Sequence, residues 1–167
     1  MTVGKDIHAV LLAAGRSERM GRNNKLLLNV DGIPLVRKSA ISIINSNVTS
    51  MTVVTGFDEN KIVNALSGLN VNFVKNINFR EGLSSSLKAG LANITPTPSA
   101  VIICLADMPK IQPEHINQLI ENFDPLKGWE ICIPTNNGKR GNPVLIGCLL
   151  YTSPSPRDQR GSRMPAC

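Results

Sequence analysis

Six short apolar runs rich in β-branched residues are separated along the chain by segments of helical period, and this alternation constrains the fold more than any other feature. Strands are expected at Ile7–Leu12, Met51–Thr55, Val71–Val74, Ala100–Leu105, Glu130–Pro134 and Pro143–Gly147. Between them, Pro34 stands at a favoured helix start, with Leu35, Val36, Ile43 and Ile44 as the buried face. Ile62, Val63 and Leu66 mark a second helix, and Leu83, Leu87 and Leu91 a third. A fourth begins at Pro113 and puts Ile116, Leu119, Ile120 and Phe123 on one stripe. The pattern predicts a three-layer α/β/α domain around a mostly parallel, Rossmann-like sheet. In such sheets ligands collect at the carboxyl ends of the strands, so the residues just after each run are the first candidates for function.

Composition narrows the partners. At 167 residues the chain fits one domain, and 42% hydrophobic content suffices for its core. The net charge of +6 suits an anionic ligand, but no run of five like charges occurs and aromatics make up only 4%. This argues against a nucleic-acid surface and for a small anionic substrate. Four cysteines form no C-x-x-C pair, and two lie in apolar runs, as thiols of a reduced compartment do. The start "MTVGKDIHAV" shows no signal segment, and no apolar stretch is long enough to span a bilayer. A cytoplasmic protein without a membrane partner is expected.

The stretch from Leu12 to Lys25, "LAAGRSERMGRNNK", follows the first strand. Leu12 and the small residues Ala13, Ala14 and Gly15 would let backbone N–H groups approach a polyphosphate, with Arg19 and Lys25 to neutralise it. G-x-G-x-x-G is absent, and Gly15 and Gly21 enclose five residues before Arg22, which excludes a Walker A loop. A solvated loop is the alternative. Asp107 follows the apolar run "VIICLA", with Pro109 preventing the strand from continuing. There it serves equally as a turn residue or as a Mg²⁺ ligand, since that ion takes one or two carboxylates plus phosphate oxygens. Ser84, Ser85 and Ser86 offer hydroxyls at a helix start, for an anionic ligand or for capping. Lys139, Arg140, Gly141 and Asn142 precede the last strand, as a grip on a second substrate's phosphate or as a hairpin turn. His8 and His115 have no partner motif and are expected to be packed or solvated, and Met108 to pack.

"LAAGRSERMG" followed by "NKLLL" resembles the signature of nucleotidyltransferases with the MobA-like NTP-transferase fold. Within that group "VVTG", "NINFREGLSSSLKAGL", "CLADMP" and "GKRGNPVLI" look like the molybdenum cofactor cytidylyltransferases, in the right order from Ala9 to Gly147. The resemblance implies transfer of CMP from CTP to a molybdopterin-type cofactor, Mg²⁺-dependent, with release of pyrophosphate. It implies Asp107 as metal ligand, Thr55 and Gly56 in the base pocket, nucleotide contacts at Ser84–Ser86, and a molybdoenzyme as recipient of the product. Arg19 and Lys25 would then hold the triphosphate and the developing pentacoordinate phosphorus. The alternatives are transfer from GTP, nucleotidylation of another small phosphate, or a non-catalytic module that binds or delivers the cofactor.

After Gly147 the pattern stops. "CLLYTSPSPRDQRGSRMPAC" has neither strand nor helix period, and the family's next helix and G-D-x-G-A-R segment are not found in it. The sequence therefore reads as a transferase domain over 1–147, incomplete at its C-terminus, followed by a disordered, non-native tail over 148–167, with a genuine disordered tail as the alternative.

Overall fold

The computed structural model describes residues 5–16 and 23–148. Strand β1 (Ile7–Leu12) leads to a small hairpin of β2 (Asn29–Val30) and β3 (Ile33–Pro34), then to α1 (Leu35–Ile44) and β4 (Ser50–Thr55). Next come α2 (Glu59–Ala65), β5 (Asn72–Lys75), α3 (Leu83–Ala92), β6 (Ala100–Leu105) and α4 (Pro113–Asn122). The chain continues with β7 (Ile131–Cys132), a second hairpin of β8 (Thr135–Asn136) and β9 (Lys139–Arg140), and β10 (Val144–Gly147). The main sheet has the order β5-β4-β1-β6-β10-β7. Strands β5, β4, β1 and β6 are parallel, and β10 runs antiparallel to both of its neighbours. All six expected strands exist; β1 and β6 have the expected bounds, and the other four differ by one residue or more at one end or both. Pro143 stays outside β10, having no N–H to give to the ladder.

Alternation along β1 divides the core. Ile7, Ala9 and Leu11 pack in a cluster with Val36 and Ile43 of α1, Ile62 of α2 and Ile116, Leu119 and Ile120 of α4. Val10 and Leu12 point to the other face and meet residues of α3. The result is the three-layer α/β/α arrangement that the periodicities predict. Lys5 ties the start of the chain to the end of α4, its ammonium donating to the carbonyl of Ile120 at 2.7 Å, one of the groups that a helix end leaves without a partner.

Two expected faces differ. Ile44 of α1 is 36% exposed, and Leu83 of α3 is 62% exposed although it begins the leucine stripe. The buried positions of α3 are Ser86 and Gly90. A Cβ on Gly90 would lie 2.7 Å from Val10 Cγ1 and 2.9 Å from Val54 Cγ2, so this helix sits closer to the sheet than a leucine face would permit. Gly90→Val therefore destabilises the fold by about 1–3 kcal/mol, the usual cost of overpacking against stiff β-branched neighbours. A lower urea midpoint with an unchanged slope is the expected measurement.

His8 is buried, with Nδ1 2.6 Å from Ser50 Oγ and Nε2 2.9 Å from Thr52 Oγ1. Burial pushes its pKa below the ordinary 6.5, with Asp6 opposing in the smaller measure. The unfolded chain thus takes up this proton more readily than the folded one. The stabilising contribution is complete above pH 6.5 and declines as the pH falls below it. Thermal melts from pH 7.5 to 5 should show a loss that His8→Gln reduces.

Candidate active site

Because β5, β4, β1 and β6 are parallel, the segments that follow them meet at one edge of the sheet, around a cleft of about 790 Å³. Each wall is fixed by the fold. Ala13 N–H donates to Val54 O (2.9 Å) and Phe57 N–H to Ala14 O (3.2 Å), which extends the pairing of β1 with β4 and leaves Leu12, Ala14, Gly15 and Arg16 on the cleft. Ala106 N–H donates to Leu12 O (3.2 Å), and Ser39 Oγ of α1 donates to Ala106 O (3.0 Å). The backbone beside Asp107 is thereby held from two sides. Asn24 Oδ1 accepts from Leu26 N–H (3.1 Å) and caps the short turn Lys25–Leu27, whose Leu26 is buried. That turn aims Lys25 across the cleft, where Nζ stands 3.4 Å from Asp107 Oδ2.

The third wall is the segment between β5 and α3. Asn76 N–H donates to Thr55 O at the end of β4 (2.8 Å), and the turn Phe79–Glu81 brings Phe79 and Arg80 to the cleft with Gly82, Leu83 and Ser86. Gly56 makes this possible, since a Cβ there would lie 2.7 Å from Phe79 Cβ and 2.9 Å from Ala14 Cβ. Arg80 lies over the Phe79 ring at 5.9 Å, and Arg16 over Phe57 at 5.6 Å. Among the described lining residues three cations, Arg16, Lys25 and Arg80, accompany one carboxylate, so the cleft favours an anion.

Of the residues singled out from sequence, Leu12, Ala14, Gly15, Lys25, Ser86 and Asp107 line this cleft. Arg19 falls outside the described residues, as does 149–167 of the expected tail. Ala13 is buried in the core. Thr55 is fully buried, its hydroxyl 3.3 Å from Val74 O, which it serves as donor, and it is absent from the cleft wall; Gly56 supports that wall from behind. Ser84 is exposed away from the cleft, and Ser85 Oγ donates to Gly82 O (2.8 Å) and Asn78 O (2.9 Å), which secures the turn. Lys139 and Arg140 form the exposed β9 arm of a hairpin, and neither they nor Asn142 belong to the cleft. The hairpin alternative holds there. His115 Nδ1 accepts from Gln112 N–H (3.0 Å) at the start of α4, and Met108 is half-buried under the Asp107 loop. Sequence reasoning missed Arg16, Phe79, Arg80 and Leu83. The aromatic and basic pair in "NFREG" was the available signal.

The donor set admits a hard cation in one way. Among the described residues no three His, Cys, Asp or Glu side chains gather, so a cage made of protein ligands alone is excluded for them. Asp107, with a half-exposed carboxylate at a strand end beside cationic groups, fits an ion that takes its other ligands from phosphate and water. Cys104, buried behind this loop, has its thiol pushed up to about 12 by burial and supplies no thiolate. No helix among the described residues is long and apolar enough to cross a membrane.

A cationic cleft with one carboxylate at the carboxyl edge of a mostly parallel sheet is the place where α/β domains bind ligands, here one of anionic character. The profile of the MobA-like NTP transferase domain matches residues 9–161, and the chain belongs to that family. The match extends beyond residue 147, the expected boundary. A probable molybdenum cofactor guanylyltransferase of Natronomonas pharaonis is 33% identical over 116 residues, which are 69% of this chain and 56% of that protein. A molybdenum cofactor guanylyltransferase of Serratia proteamaculans is 28% identical over 92% of this chain and 72% of its own length. Among solved structures, a nucleotidyl transferase from Methanothermobacter superposes with a TM-score of 0.78 at 27% identity, covering 89% of this chain and 74% of that one. This chain thus spans little more than half of the first of these relatives.

Proposed function

We propose that the chain transfers a nucleoside monophosphate from a nucleoside triphosphate to a phosphate of a molybdopterin-type cofactor, releasing pyrophosphate. The observation that carries this reading is the meeting of Lys25 and Asp107 at 3.4 Å, from loops after two adjacent strands, in a cleft that also presents the cations Arg16 and Arg80, the small residues Ala14, Gly15 and Gly82, and an apolar lining that includes Leu12, Phe79 and Leu83. In such a transfer a phosphate oxygen of the acceptor forms a bond to the α-phosphorus while the bond to pyrophosphate breaks. No nucleophilic side chain is needed, and the protein's work is positioning and stabilisation of charge. Lys25 lies against the triphosphate and follows charge onto the transferring phosphoryl group. Asp107 would hold Mg²⁺, which would neutralise phosphate oxygens. Arg16, stacked on Phe57, adds a second cation on the same side as Gly15.

For the base, the order of motifs favours CTP and the names of the two relatives favour GTP. Pyrophosphate release measured with Mg²⁺, molybdopterin cofactor and each of the four nucleoside triphosphates in turn tests both. Release with CTP or with GTP identifies the donor. Release with none, from protein shown to be folded, defeats the reading.

A further inference from the structure

We infer that Asn76, a residue outside the cleft wall, fixes the Ser86 hydroxyl as a hydrogen-bond donor to an acceptor atom on the nucleoside part of the substrate; the inference rests on the nucleotidyltransferase reading and deepens it. Asn76 is 4% exposed, and its amide orientation is set by chemistry. Asn78 N–H, which can only donate, points to Asn76 Oδ1 at 2.9 Å. Nδ2 therefore faces α3, where it donates to Ser85 Oγ (2.9 Å) and Ser86 Oγ (3.0 Å). An amide nitrogen has two protons and accepts nothing, so both serine oxygens are acceptors.

The two serines then diverge. Ser85 shares its one proton between Gly82 O and Asn78 O. Ser86 meets no acceptor for its proton among the described residues, although it is 5% exposed and lines the cleft. A buried hydroxyl already accepting on one side presents its proton on the other, and a ligand acceptor there satisfies it. The position selects the nucleoside end. Strand β5, which leads to this segment, is three strands from β6, which leads to Asp107. At a strand spacing of about 4.8 Å the ends of those two strands are roughly 14 Å apart, room for a triphosphate near Asp107 and its nucleoside on the side of β5. Oxygens of the ribose, carbonyl oxygens and unprotonated ring nitrogens of the base are the acceptors in question.

Asn76→Asp keeps shape and retains an acceptor for Asn78 N–H but turns two donors into an acceptor, so Ser86 donates backwards and its proton leaves the cleft. Binding to the full chain is measured calorimetrically with CTP, with GTP and with inorganic tripolyphosphate, beside a thermal melt. Asn76→Asp and Ser86→Ala should each weaken the bound nucleoside triphosphate about tenfold, as expected for a lost buried hydrogen bond. Tripolyphosphate affinity should stay within twofold, and the double variant should bind no more weakly than either single one. Ser86→Ala carries the test should Asn76→Asp melt early. Unchanged nucleotide affinity in Ser86→Ala, or an equal loss for tripolyphosphate, overturns the inference while the nucleotidyltransferase reading stands. A wild-type chain that binds tripolyphosphate but neither nucleotide overturns both.

Discussion

Asp107→Asn should lower pyrophosphate release by at least about 10²-fold at saturating nucleotide, with no detectable change in melting temperature. The substitution removes charge and keeps shape at a side chain that is 46% exposed. Changes at such surface positions stay within about 0.5 kcal/mol, and the pair with Lys25, equally exposed, adds little to stability. The loss must therefore appear in turnover. Titration with Mg²⁺ separates two origins: a higher Mg²⁺ requirement with partial recovery marks a metal ligand, and a fixed deficit marks an electrostatic role alone. Unchanged turnover would remove Asp107 from the chemistry.

Lys25→Ala is expected to reduce kcat by about 10²- to 10³-fold and to raise KM as well. An ammonium that touches a phosphate only in the ground state affects KM, whereas one placed where charge develops affects kcat. Lys25 belongs to the second kind because a capped turn holds its backbone and a buried neighbour, Leu26, anchors that turn. Single-turnover rates give the distinction directly. A change confined to KM would make Lys25 an attractor of substrate and nothing more.

The layers were legible because the burial that creates them leaves periods of two and of three to four in the chain. Ile116, Leu119, Ile120 and Phe123 are all buried, as their spacing requires. Helix α3 was legible, but the position of its closest approach to the sheet was not, for a physical reason. Three leucines make the conspicuous stripe, but close packing on Val10 and Val54 selects the small residue Gly90, which leaves no hydrophobic signal. The rule that ligands gather at strand ends located Gly15, Lys25 and Asp107, which belong to the loops after β1 and β6. The family resemblance, and not that rule, suggested Thr55, whose side chain turns into the protein towards β5. Arg80 was hidden because its place depends on Phe79, and that of Phe79 on the absence of a side chain at Gly56. Such a dependence connects distant positions and is invisible to any window sliding along the chain.

That last contact restricts how the sequence can drift. A methyl group at position 56 collides with the Cβ atoms of both Ala14 and Phe79, which every residue except glycine carries, so it can be accepted only with a displaced turn or with glycine in their place. A smaller residue at 79 removes the ring beneath Arg80. Positions 14, 56 and 79 are therefore coupled through their Cβ atoms, and the support of the Arg80 cation is coupled to them through the Phe79 ring.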